Sequence, residues 1–315
     1  MGIGKRISDG SLDQVEKERI NYKESGKSVE TIKFMPEEPK YKLENLILPS
    51  LVKENILDVA EYAQNSRIVF DQWGLKNTHK FSKQMGINLY GPPGTGKTMA
   101  AHAIAEYMHR KILVVSYADI ESKYVGETPK NIRKAFEVAK RTNSILFFDE
   151  ADAILSRRVT NMNNATDVSV NQTRSVLLML LNEHDDFIIF ATNFIENFDP
   201  AFMRRIAKHV EFVLPDEDCR YKLWRMYTPL EMPNDFDFRT LAKKYEGISG
   251  SDISTAILMT AFRSVRNKDS CVKQQYLETI TDEILKSKAE NGKNKAVTTK
   301  RVVSEEYAKS QMQKG

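Results

Sequence analysis

The sequence is poor in cysteine and has no long apolar run. Its 315 residues include two cysteines, Cys219 and Cys271, which are too few for a disulfide framework, so we expect a reducing compartment. No stretch approaches the roughly 18 consecutive apolar residues that a membrane span needs, and residues 1–13 lack the apolar core of a signal peptide. The sequence therefore predicts a cytoplasmic protein without a membrane span.

Common metal and nucleic-acid motifs are also missing. The five histidines never occur as His-Glu-x-x-His, which excludes zinc proteases of that type. The formal net charge is only +4, and we find neither a zinc knuckle nor a basic stripe interleaved with aromatic residues, which argues against a nucleic-acid partner. Hydrophobic residues make up 41% of the chain and charged residues 29%, a balance that allows an ordinary globular core.

Short apolar runs alternate with helical patterns up to about residue 214. Strand-sized runs lie at 87–90, 112–116, 145–148, 187–191 and 210–213, and helical patterns cover 51–62, 97–110, 128–142 and 175–183. This alternation is typical of an α/β fold with a largely parallel sheet and helices on both faces.

A glycine-rich loop follows the first predicted strand and opens a helix. It fits the pattern G-x-x-x-x-G-K-[ST] and consists of Gly91, Pro92, Pro93, Gly94, Thr95, Gly96, Lys97 and Thr98. Glycines allow backbone N–H groups to converge on phosphates, and the helix N-terminus adds positive potential. In such a loop the lysine reaches the β/γ-phosphates and the threonine hydroxyl binds Mg²⁺. We therefore predict a P-loop that binds ATP with Mg²⁺.

Two acids end the third predicted strand. Asp149 and Glu150 follow the apolar run 145–148, and the carboxyl end of a parallel strand is where such sheets present their ligand site. We expect Asp149 to hold the Mg²⁺ and its water shell, and Glu150 to act as the general base for the attacking water. Paired acids at a strand end are often merely solvated, but the upstream P-loop favours the catalytic interpretation.

Three further polar residues are candidates with two interpretations each. Asn193 follows the fourth predicted strand, where it either forms a turn or contacts the γ-phosphate and the water. Arg204 and Arg205 are adjacent. Such a pair is either surface charge or a source of charge stabilisation at a phosphoryl-transfer site.

After Pro215 the strand patterns stop. Helical patterns cover 218–227, 238–245, 253–265 and 274–286, with a last short helix after residue 300. We predict three parts: a polar, flexible N-terminal segment over 1–42, an α/β nucleotide-binding domain over 43–214 and a helical lid domain over 215–315. The N-terminal segment is either a plain tail or a recruiter of partners.

Together these motifs resemble the AAA ATPases. The resemblance covers about Leu43 to Tyr307 and rests on GPPGTGKT at 91–98, ILFFDEADAI at 145–154, ATN at 191–193 and DPAFMRRI at 199–206. It implies that Glu150 is the catalytic carboxylate, that Asn193 is the first sensor, and that Arg204 and Arg205 are fingers that act on the neighbouring subunit's ATP. A homo-oligomeric ring, usually a hexamer, follows from that role.

The resemblance extends to substrate and nucleotide contacts. Lys123, Tyr124 and Val125 are similar to the first pore loop, whose aromatic residue grips an unfolded polypeptide, and the polar stretch 157–171 lies where a second pore loop would be. Gly250 and Ser251 resemble the second-sensor region of the lid, although Ser249 and Asp252 also fit a capping box. In the family, backbone near 46–48 meets the adenine.

The chain departs from the commonest family pattern, in which Pro-Gly separates the two arginines. The adjacent pair is closer to the katanin, spastin and vacuolar-sorting branch and to bacterial single-ring relatives. It leaves open which arginine is the main finger. Only one P-loop is present, so we predict a single ring.

Three functions compete at this stage. The first is a ring ATPase that remodels, unfolds or disassembles protein substrates through a central pore. The second is an ATP-dependent assembly or switch factor for a partner system, since no substrate-binding domain is recognisable in the N-terminal segment. The third is a nucleic-acid motor or loader, which the modest charge argues against.

Overall fold

A computed structural model describes residues 34–78, 85–121, 127–155, 165–184, 186–193 and 198–295. Several predictions fall outside these ranges: most of the N-terminal segment 1–42, the first pore loop with Lys123, Tyr124 and Val125, part of the second, and the last short helix. Among the described residues, no helix combines the length and apolar character that a bilayer crossing requires.

A five-stranded parallel sheet forms the centre of the α/β part. Its strands lie in the order β2-β3-β4-β1-β5 and every pairing between them is parallel. The strands are Met85–Tyr90 (β1), Ile112–Ser116 (β2), Ile145–Asp149 (β3), Phe187–Thr192 (β4) and Ile206–Glu211 (β5). The predicted fold class is thereby confirmed.

The fifth strand begins four residues earlier than the predicted 210–213. β5 pairs with β1 alone, and its register shifts between Gly86 and Ile87. In β5 only Ile206 and Val210 are buried. A half-exposed strand with a register shift lacks the continuous apolar run of a buried strand, so the run near Val210 predicted the strand but not its start.

Helices alternate with the strands and then continue without them. They are Ser50–Arg67 (α1), Lys97–Tyr107 (α2), Tyr117–Ile120 (α3), Glu127–Thr142 (α4), Asp152–Leu155 (α5), Ala165–Glu183 (α6), Pro200–Met203 (α7), Glu217–Tyr227 (α8), Phe238–Lys244 (α9), Gly250–Asn267 (α10) and Gln274–Lys295 (α11). Residues 165–171, predicted as part of a second pore loop, lie in α6 instead. After β5 the named elements in the described part of the chain are all helices. The domain boundary at residue 214 stays a prediction.

Each face of the sheet carries its own apolar cluster. Helices α1 and α2 cover one face, where Ile56, Ile104 and Phe147 are buried. Helices α4, α6 and α7 cover the other, where Phe148 and Phe190 stack with ring centroids 5.4 Å apart. Such an aromatic pair contributes about 0.5–1.5 kcal/mol beyond its burial. In the described part of the chain helices therefore cover both faces of the sheet, and the strand ends are where a ligand can reach it.

The helical part has a separate apolar cluster centred on fully buried Trp224. Polar caps set the helix starts: Asp216 accepts from Cys219 N–H, and Ser249 and Asp252 form a capping box at α10. That box starts α10 at Gly250, ahead of the predicted Ile253. Burial, with Asp216 beside it, raises the pKa of the Cys219 thiol to about 12, which marks it as a structural thiol.

Arg110 joins three strand starts at the amino end of the sheet. Its Nε donates to the carbonyl of Asn143, 3.0 Å away and just before β3. Its guanidinium also forms a bidentate pair with Asp186, with one N–O distance of 2.7 Å. Asp186 in turn accepts from the N–H of Phe187, the first residue of β4. Although burial acts to raise the pKa of Asp186, these hydrogen bonds hold it below the usual value.

The ion pair between Arg110 and Asp186 predicts a pH-dependent effect of Asp186→Asn. A lowered folded-state pKa contributes stability that is complete above the unfolded value of about 3.9 and is lost as pH falls through the folded value. We expect the variant to lose about 1–2 kcal/mol of unfolding free energy at pH 7, with the difference shrinking below pH 4. Urea unfolding measures both. The control is Asp58→Asn, which breaks the exposed ion pair with Lys208. An equal loss of unfolding free energy in both variants would contradict a stabilising role of the Arg110–Asp186 pair.

Candidate active site

The P-loop connects β1 to α2 through left-handed glycines. Gly91, Gly94 and Gly96 have φ values of 137°, 74° and 98°, which side chains rarely adopt. A Cβ on Gly91 would lie 2.0 Å from the carbonyl oxygen of Phe212, and one on Gly94 would lie 2.0 Å from Ser251 Oγ. The glycine pattern of the sequence is thus required by both backbone conformation and close packing.

Lys97 is the first residue of α2, and its ammonium ties three segments together. Nζ donates to the carbonyls of Gly91 and Pro92 at 2.7 and 2.9 Å and to Asn193 Oδ1 at 3.0 Å. Burial lowers the pKa of Lys97, while Asp149 and Asp152 act to raise it. The ammonium group donates hydrogen bonds to these carbonyl oxygens, and the oxygens of an anionic ligand can replace them as acceptors.

Thr98 and Asp149 meet as the sequence predicts. Thr98 Oγ1 donates to Asp149 Oδ2 at 2.9 Å, which places a hydroxyl and a carboxylate oxygen side by side at the end of β3. Hard oxygen donors of this kind fit Mg²⁺, which usually keeps several waters and takes few protein ligands. The donor set therefore suits a magnesium ion that accompanies a bound nucleotide.

Glu150 has a backbone conformation that the sequence did not predict. Its φ is +51°, in the left-handed region that costs a residue with a side chain roughly 1–2 kcal/mol. Its N–H donates to Asp149 Oδ1 at 2.9 Å, and the exposed side chain lines the cavity described below. Strain of this kind concentrates at functional sites, where it directs a side chain that regular backbone would place elsewhere.

Asp152 belongs to the site although the sequence analysis did not assign it a role. Its carboxylate oxygens accept from the backbone N–H of Asn193 at 3.0 and 3.2 Å, while Asn193 Oδ1 accepts from Lys97. Asp152 therefore fixes the backbone of the residue that contacts the lysine. The available signal was a third acid, three residues after Asp149, within the quoted motif ILFFDEADAI.

A cavity of about 360 Å³ joins these groups to the helical part, a size usual for small-molecule sites. Predicted residues from three regions line it, namely Leu46–Leu48, Pro93–Thr98 and the pair Gly250 and Ser251, and so do Asp149, Glu150 and Asn193. Leu223, Met226 and Tyr227 of α8 add an apolar wall that the sequence did not identify. Ser251 N–H donates to the carbonyl of Gly94 at 3.3 Å, so the capping box coexists with a contact to the P-loop. The second-sensor role of Gly250 and Ser251 stays a prediction.

The two arginines differ in their surroundings, and neither lines the cavity. Arg205 is held by contacts within its own chain: Nε donates to Asn182 Oδ1 and NH1 to the carbonyl of Ala201, both at 2.7 Å. Arg204 is exposed, and its guanidinium makes no hydrogen bond or ion pair with any residue in the described part of the chain. The predicted finger pair therefore separates into one anchored and one available guanidinium.

Comparison with known proteins agrees with this geometry. Residues 87–214 match the "ATPase family associated with various cellular activities (AAA)". Over 219 residues the chain is 33% identical to a proteasome-activating nucleotidase of Methanopyrus kandleri, covering 67% of this chain and 50% of the relative. It is 32% identical over 250 residues to a 26S proteasome regulatory subunit 8 homolog of Encephalitozoon cuniculi, covering 76% and 61%.

These relatives bear on the finer family prediction. A proteasome-activating nucleotidase of Archaeoglobus fulgidus is also similar, at 34% identity over 212 residues, with 64% of this chain and 52% of the relative covered. The chain thus spans about half to three fifths of the length of these relatives. They are proteasomal proteins by name, so the assignment to the katanin, spastin and vacuolar-sorting branch, which rests on one Arg-Arg dipeptide, is not supported by them.

The close packing of Gly94 gives a prediction with a matched control. Gly94→Ala and Gly247→Ala both place a side chain at positive φ, but the Cβ at 247 meets nothing within 4 Å. Both variants should lose about 1–2 kcal/mol of stability through backbone strain. Only Gly94→Ala should also weaken binding of a fluorescent ATP analogue, by about tenfold or more, because it displaces Ser251. Equal affinities in a fluorescence titration would contradict the contact.

Proposed function

We propose that this chain, whose residues 87–214 form an AAA ATPase domain, hydrolyses ATP to remodel, unfold or disassemble protein substrates. The observation that carries the proposal is one cavity in which Lys97, Thr98, Asp149, Glu150 and Asn193 converge. Phosphate binding, metal binding and water activation each need one of these groups, and the sheet presents them together at its carboxyl end.

Each side chain has a separate task in the proposed reaction. Lys97 exchanges its carbonyl acceptors for β- and γ-phosphate oxygens, and Asn193, held by Asp152, orients the γ-phosphate and the attacking water. Glu150 accepts the proton of that water as it attacks. Thr98 and Asp149 would hold Mg²⁺, which would offset negative charge on the phosphates.

The active unit in this proposal is a single ring, a homohexamer with its sites between subunits. Arg204 supports it, because an exposed guanidinium without a partner in the described part of its own chain is free to reach a neighbouring subunit's ATP. Arg205 is tied to Asn182 and Ala201. We therefore assign Arg204 as the main finger, with Arg205 fixing the turn that presents it. Transition-state contact by such an arginine is worth several powers of ten in rate.

Protein substrates are favoured by two considerations. Lys123, Tyr124 and Val125 match the sequence pattern of an aromatic pore loop, and the relatives' names refer to the proteasome, a system that handles proteins. An aromatic side chain grips varied sequences because its apolar face needs no specific partner. The cytoplasm is the proposed compartment, since Cys219 and Cys271 are free thiols and a reducing environment maintains them.

Glu150→Gln tests the assignment of the general base. The amide keeps the size of the side chain but accepts no proton, so hydrolysis should fall by about 100-fold or more while affinity for ATP stays near that of the unmodified protein. Phosphate release and equilibrium binding measure the two quantities. Glu137→Gln on the exposed face of α4 is the control. Turnover near the unmodified rate in Glu150→Gln would rule out this base.

Tyr124→Ala tests the pore assignment. We expect ATP hydrolysis to stay within about threefold of the unmodified rate, since a change limited to a pore-loop grip leaves the phosphate-transfer groups in place. Unfolding of a fluorescent, tagged model protein should be lost. Tyr124→Phe keeps the aromatic face and should retain unfolding. Unfolding at full rate by Tyr124→Ala would exclude a role for this residue in gripping substrate.

A further inference from the structure

Three polar side chains interrupt the apolar sheet face beneath α4, α6 and α7. Asn88 is fully buried in the middle of β1, and Thr192 is buried at the end of β4. His209 lies on β5, in register with Asn88. Because β1 lies between β4 and β5, Asn88 stands between the other two. The three residues form a polar row across the central strands.

Part of this row is hydrogen-bonded and part is not. Thr192 Oγ1 donates to Asn88 Oδ1 at 3.2 Å. Asn88 Nδ2 and His209 Nδ1 are both buried, and neither has a hydrogen-bond partner among the described residues. One is an N–H donor, and the other is an acceptor in the neutral imidazole, so the two groups are complementary. An unsatisfied buried polar group destabilises the fold. Leucine at position 88 would fill similar space without an unsatisfied amide, but it would also remove the acceptor of Thr192 Oγ1.

The two ends of the row meet different functional segments. Thr192 immediately precedes Asn193, which contacts Lys97 in the nucleotide cavity. His209 follows the Arg204-Arg205 turn by four residues along β5. Burial lowers the pKa of His209, while a hydrogen bond with the backbone of Met203, next to Arg204, acts in the opposite direction. The row therefore spans the distance from the γ-phosphate contact to the finger turn.

We propose that Thr192, Asn88 and His209 form a relay that couples the Asn193 contact with the nucleotide to the position in which Arg204 is offered to the next subunit. In the relay, Asn88 Nδ2 bonds to His209 Nδ1 when Asn193 engages the γ-phosphate, and the imidazole then fixes the carbonyl of Met203. Asn88 and His209 are positioning residues, since neither lines the cavity. The relay rests on the proposed function, in which Arg204 acts on the neighbouring subunit.

The physical basis is that a sheet interior transmits small shifts with little loss. β1 pairs with β4 along its whole length, and with β5 from Ile87 to Tyr90 without a register shift. A displacement at the end of β4, next to Asn193, therefore reaches the neighbouring strands through backbone hydrogen bonds. A buried hydrogen bond has two discrete states, made or broken. The energy difference between these two states is larger than it is for a hydrogen bond exposed to water. Coupling through such a network requires an element whose two states both sites influence.

The test uses mixed rings of two variants. Glu150→Gln subunits hydrolyse little ATP but keep their fingers, and Arg204→Ala subunits keep their own site but lack the main finger. Mixing them should restore hydrolysis at Arg204→Ala sites that have a Glu150→Gln neighbour. Absence of any rescue would overturn the finger assignment in the proposed function and, with it, the relay.

Asn88→Leu is then added to one subunit type at a time. In the finger donor, Glu150→Gln, it should reduce the rescued rate by about three- to thirtyfold. In the acceptor, Arg204→Ala, the rate should stay within twofold, because the acceptor offers no finger. A purely structural defect gives the same loss in both placements, and that result would overturn the relay while leaving the trans finger intact.

His209→Leu in the donor provides a second, independent variant. We expect a loss similar to that of Asn88→Leu, and the double variant should be no worse than either single one because both break the same connection. Thermal unfolding should show that Asn88→Leu is close in stability to the unmodified chain, since the removal of the unsatisfied Nδ2 offsets the loss of the acceptor of Thr192 Oγ1. Strictly additive losses, or no loss from His209→Leu, would overturn the relay.

Discussion

The structure of the site depends on the three hydrogen bonds of the Lys97 ammonium. Nζ joins the carbonyl groups of Gly91 and Pro92 to the side chain of Asn193, so it ties the end of β1 to the end of β4 through the start of α2. A buried cation is costly unless its donors are satisfied. Three acceptors arranged around one ammonium satisfy it here, and the same donors face the cavity where phosphates would replace the carbonyls.

The acids complete the site from the neighbouring strand. β3 lies beside β4, and its end delivers Asp149 to Thr98 and Glu150 to the cavity. Asp152, in the short helix α5 that follows, returns to hold the backbone of Asn193. The site is therefore a closed set of contacts among three strand ends, and a shift of any one of them alters the others. The helical part borders the site, where Ser251 packs directly on Gly94.

Arg204 and Arg205 lie apart from the candidate residues that line the cavity. The groups proposed to bind phosphate, metal and water all line the cavity of a single chain, but neither arginine lines it. Arg205 is hydrogen-bonded to Asn182 and Ala201 of the same chain, and the exposed Arg204 is the arginine proposed to act on a neighbouring subunit. Under the proposed function, the polar row of Thr192, Asn88 and His209 links the local site to the remote one through the central strands of the sheet.

The sequence by itself determined the fold class and named most of the residues that line the cavity. Strand and helix periodicity predicted the parallel sheet. The glycine-rich loop with its lysine, the acids after β3 and Asn193 became candidates through their motifs and their positions after strands, because these features depend on neighbours along the chain. It misplaced the start of β5 and the start of α6, whose limits depend on pairing and packing. Only the tertiary structure revealed the role of Asp152, the positive φ of Glu150, the wall formed by α8, the different surroundings of the two arginines and the row through Asn88. Apart from the backbone conformation of Glu150, each of these depends on contacts between residues distant in sequence, and such contacts leave no periodic pattern in the chain.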